Sequence, residues 1–285
     1  MKNEKARQEA IEANIFVHSA LANSGEYNKS PHFRPENKEK VRNILGRIVS
    51  TYLHNKCQRS IDFGCGTGFL THMLTDFSQH VDGIDITEDM MKQIDLSSGK
   101  ISLHLSPAEN TPFGGDLFDL ATAYSFLDHL VDYKACLREA YRVLRTGGVF
   151  YSDLNPNRDF IELFDRISRE NSDYSTLPAI LRKEILGSLH NGDYYQKTFG
   201  LDATMLEKAE PGKTISRGFC AKEFELAARE IGFSECNFEY EWYLDQARII
   251  HGSTRESSEG IEGYLQSILP ASKSLFKYLR VVLIK

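Results

Sequence analysis

Two features are missing from the start of this sequence and from its full length: a signal peptide and an apolar run of membrane-spanning length. No stretch approaches the ~20 apolar residues that a helix needs to cross a bilayer. The opening segment, MKNEKARQEAIEANIFVHSALA, is acidic as well as basic, and Asn14 and His18 interrupt its apolar run. A signal peptide has neither property. Both absences favour a cytoplasmic protein without a membrane span.

Paired cysteines are also missing. The chain has five cysteines, an odd number, and none forms a C-x-x-C pair: Cys57, Cys65, Cys136, Cys220 and Cys236. Isolated cysteines fit reduced thiols better than a disulfide framework or a zinc site. We therefore predict no bound metal.

A strong charge of one sign is absent too, since the 285 residues carry a net charge of −6. The N-terminal region is basic, but acidic and basic residues alternate over 36–42, which is typical of a solvated helix face. The sequence has no stripe of interleaved basic and aromatic residues. It therefore disfavours a nucleic-acid partner and gives no indication of the oligomeric state.

The hydrophobic pattern is helical at first and then alternates between strands and helices. Helices are predicted over 4–23 and 36–53. Short apolar runs that predict strands follow at 60–63, 80–86, 101–105, 118–124 and 148–154, with helical patterns between several of them. Such alternation predicts a parallel sheet covered by helices on both faces.

This pattern divides the chain into four regions. They are a helical N-terminal lid segment at 1–56, a cofactor-binding α/β core at 57–156, a helical cap insertion at 157–215, and a completion of the core sheet at 216–285 with a second insertion at about 246–273. The expected fold is α/β, a doubly wound, mostly parallel, seven-stranded Rossmann-like sheet. Its ligands should bind at the carboxyl ends of the strands.

The strongest local signal is the run Ile61-Asp62-Phe63-Gly64-Cys65-Gly66-Thr67-Gly68-Phe69, where a strand ends and a helix begins. Glycines at alternate positions permit positive φ and let a ligand lie against bare backbone. A dehydrogenase fingerprint, G-x-G-x-x-G, would need glycine where Phe69 stands. Asp85 ends the next predicted strand, where a carboxylate can accept hydrogen bonds from ribose hydroxyls.

The glycine run and Asp85 resemble the class I S-adenosylmethionine-dependent methyltransferase family. Segments 106–113, 119–130 and 137–148 resemble the family's later motifs in the same order, so the likeness covers roughly 57–155, with weaker agreement at 217–245 and 275–285. The resemblance implies S-adenosylmethionine as cofactor and methyl transfer as the reaction.

It also implies roles for individual residues. Asp62 would face the amino group of the methionine part, Asp85 would bind the ribose, Ile86 would pack on adenine, and Ala108 would offer its backbone N–H to the ring. The family often has Asp where Pro107 stands, so Glu109 or a loop carbonyl must accept from the adenine amino group. The full set of predicted cofactor-binding residues is Asp62, Gly64, Cys65, Gly66, Gly68, Asp85, Ile86, Ala108, Glu109, Tyr124, Tyr27 and Arg34.

Catalysis asks little of the protein, because the sulfonium already activates the methyl group. The protein must align a nucleophile with the methyl group and, for some acceptors, remove a proton. The candidates at the strand ends are His129, Asp153 and Tyr124. A packing role for His129 and a turn-forming role for the segment after Asp153 remain alternatives.

The predicted acceptor is a small organic molecule, because the insertion at 157–215 is long and aromatic enough to cover a pocket. Tyr194, Tyr195 and Phe199 are its candidate acceptor contacts. The alternatives are a methyltransferase that acts on RNA or protein, and a non-catalytic protein that binds S-adenosylmethionine. Neither the acceptor nor the choice among O, N and C methylation follows from the sequence.

Overall fold

One seven-stranded sheet organises this protein in a computed structural model that describes residues 2–24, 33–171, 173–188 and 203–285. The strands are β1 (Cys57–Phe63), β2 (Ser78–Asp85), β3 (Ile101–Leu105), β4 (Phe118–Tyr124), β5 (Leu144–Pro156), β6 (Glu235–Tyr243) and β7 (Phe276–Ile284). Their order is β3-β2-β1-β4-β5-β7-β6. Only β7 runs antiparallel to its neighbours, β5 and β6. The predicted doubly wound, seven-stranded α/β sheet is confirmed.

The helices lie between and around these strands. They are α1 (Lys2–Ser24), α2 (Pro35–Tyr52), α3 (Phe69–Leu74), α4 (Glu88–Met91), α5 (Tyr133–Val143), α6 (Arg158–Glu170), α7 (Ala179–Ser188), α8 (Ala203–Ala209), α9 (Pro211–Thr214), α10 (Ala221–Ile231), α11 (Gln246–Gly252) and α12 (Arg255–Ser267). No helix among the described residues is both long and apolar enough to cross a membrane.

The central strands are buried on both faces, as expected for a parallel sheet between two helical layers. In β4, six of the seven residues are buried and only Tyr124, at the carboxyl end, is partly exposed. One core cluster joins α5 and α10 to the sheet, and a second joins α2 and α3 to its other face. The strand order reverses between β1 and β4, so the carboxyl ends of these strands flank the expected ligand crevice.

The two N-terminal helices differ in what they cover. Helix α2 buries Val41, Leu45 and Ile48 in the same cluster as β1 and β4 residues, so it belongs to the core. Helix α1 packs instead on α8, where Ala13 and Val17 contact a small cluster outside the sheet. The lid over 1–56 stays a prediction; among its described helices, α2 belongs to the core and α1 lies outside it.

The two insertions are helical within their described parts. Helices α6 and α7 share a cluster built on Phe160, Phe164 and Ile185. Helices α11 and α12 form the insertion between β6 and β7. Tyr27, Tyr194, Tyr195 and Phe199, which were predicted to contact cofactor or acceptor, lie outside the described residues.

Candidate active site

The loop after β1 has the backbone that its glycines predict. Gly64, Gly66 and Gly68 have φ values of +65°, +51° and +89°, a region that other residues adopt only with strain. A Cβ at Gly64 would lie 2.0 Å from Cδ2 of Phe126, on the loop after β4. The first glycine is therefore required both by its φ and by this close approach.

Asp85 connects this loop to the end of β2. Its Oδ2 accepts from the backbone N–H of Gly66 at 2.9 Å, and its Oδ1 accepts from the N–H of Thr87 at 2.8 Å. Burial raises the pKa of Asp85, against the opposing effect of these backbone hydrogen bonds. Each carboxylate oxygen has a second lone pair, so the side chain can still accept from a ligand in the cleft that it lines.

Asp62 lies behind the loop rather than on the cleft surface. It is 2% exposed, and its two oxygens accept from the hydroxyls of Thr71 and Thr122, each at 2.7 Å. Burial raises its pKa to about 6. An ionised Asp62 can thus favour a cation in the cleft through its charge, while the two threonines fix its orientation.

The far end of the cleft is lined by Ile86, Pro107, Ala108 and Glu109, which follow β2 and β3. Glu109 Oε1 accepts from Arg7 Nε at 3.0 Å. This contact joins α1 to the loop after β3. Glu109 was predicted to accept from the adenine amino group, because Pro107 stands where the family often has Asp. It lies at this end of the cleft.

Helix α1 forms one wall of the cleft, with Arg7, Ala10, Ile11, Asn14 and His18 facing it. The sequence predicted a lid over 1–56 but assigned no individual α1 residue to the cofactor site. The available signal was Asn14, a polar residue beside Ala10 and Ile11 on this face of the helix. The Asn14 amide donates to Ala10 O at 2.9 Å and to His129 O at 3.4 Å.

His129 lies in the loop after β4 and lines the same cleft. Its Nδ1 lies 2.9 Å from the carbonyl oxygen of Ala209. A carbonyl only accepts, so Nδ1 carries the proton and Nε2 of the neutral ring is the acceptor. The ring of His18 packs edge-on against it, with the centroids 5.0 Å apart. Burial, and then the neighbouring His129, lowers the pKa of His18 to about 3 against the opposing charge of Glu210.

Tyr124 marks the carboxyl end of β4 and also lines the cleft. Its hydroxyl accepts from the Asn37 amide at 2.8 Å, and its ring packs on Phe69 with the centroids 4.7 Å apart. Burial raises the pKa of Tyr124 well above its ordinary value. The hydroxyl is accordingly neutral at physiological pH and can act only as a hydrogen-bonding group.

Asp153 does not face this cleft. It is buried and accepts from Arg280 Nε at 2.9 Å, from the Tyr151 hydroxyl at 2.8 Å and from the Leu154 N–H at 2.7 Å. These contacts commit its carboxylate to the interior between β5 and β7. A structural role therefore fits Asp153 better than the acceptor-orienting role expected from its position at a strand end.

Three further residues were predicted to bind the cofactor but do not line the cleft: Cys65, Gly68 and Arg34. The Cys65 side chain is buried toward Gly83, and burial raises the pKa of its thiol well above the usual range. Gly68 caps the start of the short helix α3. Arg34 lines a second cavity beside Trp242, not the cleft between α1 and the strand ends.

A doubly wound sheet in this order, with a glycine loop after β1 and a carboxylate after β2, defines a class I methyltransferase architecture. Residues 61–152 match the family model described as a methyltransferase domain. The core of this chain is a class I S-adenosylmethionine-dependent methyltransferase domain. The predicted family is thereby confirmed, without a subfamily.

Known relatives agree with this conclusion. A ubiquinone biosynthesis O-methyltransferase of Hydrogenovibrio crunogenus is 33% identical over 103 residues, which are 34% of this chain and 43% of the relative. This chain thus spans less than half the length of that curated relative. A malonyl-[acyl-carrier protein] O-methyltransferase of Serratia marcescens is 24% identical over 197 residues, covering 62% of this chain and 76% of the relative.

Among solved structures, a SAM-dependent methyltransferase from Archaeoglobus fulgidus superposes with a TM-score of 0.51. It is 17% identical and the match covers 87% of this chain and 94% of that one. At this identity the likeness concerns the fold. Since it covers 87% of the chain, it extends beyond residues 61–152.

Proposed function

We propose that this protein transfers the methyl group of S-adenosylmethionine to a small organic molecule. The proposal rests on one observation: Asp85 accepts a hydrogen bond from the N–H of Gly66, and both residues line the cleft. This arrangement places a hydrogen-bond acceptor and bare backbone side by side. The relatives named above are an O-methyltransferase of ubiquinone biosynthesis and an O-methyltransferase of malonyl-[acyl-carrier protein].

The cleft residues fit S-adenosylmethionine in three parts. Asp85 can accept from the ribose hydroxyls, and the positive-φ glycines leave no side chain between the loop and the methionine part. Ile86 and Ala108 offer apolar surface to adenine, and Glu109 an acceptor for its amino group. Asp62 supplies a negative charge behind the loop that suits the ammonium group.

When bound, S-adenosylmethionine supplies a methyl group activated by its sulfonium. The protein then has to exclude water, orient the acceptor and, for a hydroxyl acceptor, remove a proton. Nε2 of His129 is the atom that can take this proton, because Nδ1 is held by Ala209 O. Tyr124, fixed by Asn37, is placed to orient the acceptor by hydrogen bonding.

Helix α1 supports a small acceptor rather than a macromolecule. It lies along the cleft and contacts it from Arg7 to His18, so the site is a covered cleft and not an open groove. About 80 Å³ is free in the cleft in this structure, so α1 has to shift to admit S-adenosylmethionine. A polymeric substrate would need a larger movement of the helix before its target atom could enter.

Two experiments test the proposal. Calorimetry measures S-adenosylmethionine binding, and a screen measures the transfer of labelled methyl groups to compounds of a metabolite extract. We expect binding in the wild type, and a labelled product of low molecular mass. His129→Gln should bind S-adenosylmethionine and fail in transfer to hydroxyl acceptors. Label recovered only in RNA or protein would overturn the small-molecule assignment, and binding without any transfer would overturn the enzymatic one.

A further inference from the structure

Trp242 is the single tryptophan of the chain, and its backbone is unusual. It lies near the end of β6 with a φ of +56°, which is strained for a bulky side chain. The ladder pairs its two neighbours, Glu241 with Tyr278 and Tyr243 with Phe276, so the irregular backbone lies within the paired part of the strand. A local irregularity of this kind redirects a side chain out of the sheet's regular alternation, often beside functional sites.

The redirected indole lines a second cavity, of about 280 Å³, between α2 and the α11–α12 insertion. Its other uncharged lining residues are Asn37, Gln246, Ile250 and Ser258. The three polar ones are each more than nine-tenths buried. Ligand pockets commonly combine apolar and aromatic walls with a few fixed polar groups, and this cavity has that composition.

The charged residues of this cavity balance each other. Arg34, Lys40 and Arg255 oppose Glu36, Glu259 and Glu262. Lys40 is 2.6 Å from Glu241 and 3.8 Å from Glu262, and Arg255 is 2.7 Å from Glu259. A cavity whose six charges sum to zero, with Lys40 and Arg255 held in ion pairs, gives no electrostatic advantage to a highly charged ligand such as a nucleotide. It favours an uncharged one.

Trp242 favours a flat ligand. Lys40 Nζ lies 5.9 Å from the centre of the indole ring, so the ring is held between the helix and the sheet end. Aromatic pairs gain about 0.5–1.5 kcal/mol beyond the area that they bury. An aromatic ring in the cavity could make this contact, whereas a saturated ring of the same size would not.

A hydrogen bond between two lining residues connects this cavity to the cofactor cleft. Asn37 lines the cavity and donates to the hydroxyl of Tyr124, which lines the cleft. Strand β6 runs parallel to β5, because both are antiparallel to β7, so Trp242 lies at the same edge of the sheet as Tyr124. A molecule in the cavity can therefore present one end to the cleft at the Asn37–Tyr124 pair.

We propose that the Trp242 cavity is the methyl-acceptor site and that the acceptor is an uncharged, planar aromatic compound. Its ring stacks on Trp242, and its reactive substituent points toward Tyr124. This inference rests on the proposed methyltransferase function for the identity of the ligand as an acceptor. The presence of an aromatic-binding cavity at Trp242 can be tested without it.

The single tryptophan makes this cavity directly observable by fluorescence. Three probes of similar size separate shape from charge: catechol, its anionic analogue 3,4-dihydroxybenzoate, and saturated cyclohexane-1,2-diol. With excitation selective for tryptophan, we expect saturable quenching by catechol and about tenfold weaker binding of the other two, a difference of about 1.4 kcal/mol. Equal, non-saturating quenching by catechol in the folded and the urea-unfolded protein would overturn the inference.

Two variants locate the binding. Ile250→Tyr adds volume inside the cavity and should abolish the saturable quenching, while Leu226→Tyr makes the same kind of change at an exposed position of α10 and should not. Unchanged catechol binding in Ile250→Tyr would place the ligand elsewhere and overturn the proposal. Circular dichroism of both variants establishes that they are folded.

A third variant separates this inference from the proposed function. Asp85→Asn should weaken S-adenosylmethionine binding by roughly ten- to a hundredfold and keep the catechol titration. If the wild type binds S-adenosylmethionine and no aromatic probe, the Trp242 assignment is wrong while the proposed function stands. If catechol binds saturably but S-adenosylmethionine does not, the cavity binds aromatic compounds and the methyltransferase proposal fails.

Discussion

Arg7 donates to Glu109 at 3.0 Å and so ties the first turns of α1 to the loop after β3, 102 positions further along the chain. This ion pair is partly exposed, with side-chain exposures of 40% and 13%. It joins a helix that lies outside the sheet's two helical layers to the end of the cleft assigned to adenine. Helix α1 thereby becomes part of the proposed cofactor site.

Removing α1 should weaken cofactor binding without unfolding the core. Deletion of residues 1–24 leaves both large core clusters intact, since neither includes α1. We expect weaker S-adenosylmethionine binding by calorimetry and a thermal midpoint close to that of the full chain. Arg7→Ala should reproduce only a small part of the loss, about 0.2–1 kcal/mol, because the pair is partly exposed. Equal affinity in the deletion variant would show that α1 serves another purpose.

Asp85 should be the most sensitive cofactor residue. Asp85→Asn removes the charge and places an amide where Gly66 or Thr87 now donates. Loss of a charged hydrogen bond costs about 1.5–3 kcal/mol, so S-adenosylmethionine affinity should fall by roughly ten- to more than a hundredfold. Glu88→Gln removes the same charge at an exposed position nearby and is the matched control. Comparable losses in both variants would indicate a general electrostatic effect.

Asp62 should make cofactor affinity depend on pH. Its pKa is raised by burial to about 6, so the carboxylate is ionised above that pH and protonated below it. Affinity for S-adenosylmethionine should fall as the pH drops through 6, by up to about tenfold per unit. Asp62→Asn should remove this component. Methylthioadenosine, which lacks the amino-acid part, should bind both proteins with similar pH dependence. The same Asp62-dependent slope for methylthioadenosine would contradict the assigned role.

The buried pair Asp153–Arg280 should determine stability rather than catalysis. Arg280 also pairs with Glu239 and Glu241, so Asp153→Ala leaves no unpaired charge. It removes the buried acceptor of Arg280, the Tyr151 hydroxyl and the Leu154 N–H, so the free energy of unfolding in urea should fall by about 1–3 kcal/mol. Asp116→Asn, which breaks the exposed ion pair with Lys285 and keeps a residue that tolerates the positive φ of this position, should cost no more than about 1 kcal/mol. Methyl transfer per folded molecule should persist in Asp153→Ala. A stable but inactive variant would return Asp153 to the catalytic set.

The features that could be predicted from the sequence are those that a short stretch of residues determines. The strands at 101–105 and 118–124 have the predicted bounds, and the glycine loop has the predicted positive φ values. Apolar strand runs and turn glycines carry this information within a few residues. The fold and the family were therefore accessible without coordinates.

Contacts between distant parts of the chain were not accessible in this way. Asp153 stands at a strand end, as a substrate-binding residue would, yet its partner Arg280 lies 127 positions away. The available signal was an arginine in the middle of the apolar strand FKYLRVVLI, which needs a buried partner. The Trp242 cavity likewise depends on α2 and the α11–α12 insertion coming together, which no local pattern encodes.

His18 gives the final prediction, which concerns stability against pH. Burial and the neighbouring His129 lower its pKa from 6.5 to about 3, so the folded protein keeps it neutral over a range in which the unfolded chain protonates it. The unfolded state then binds more protons between these two values, and stability rises with pH through this window and is fully present above 6.5.

The comparison needs a matched variant, because the raised pKa of Asp62 changes stability in the opposite direction between about 4 and 6. His18→Phe keeps an aromatic edge against His129 and removes the titration. Between pH 7.5 and 5.0 the wild type should lose up to about 2 kcal/mol more unfolding free energy than His18→Phe, since each pH unit below 6.5 is worth about 1.4 kcal/mol. Urea unfolding at both pH values measures the difference. Parallel losses in the two proteins would mean that His18 already protonates in the fold, and its place beside His129 in the cleft wall would need to be revised.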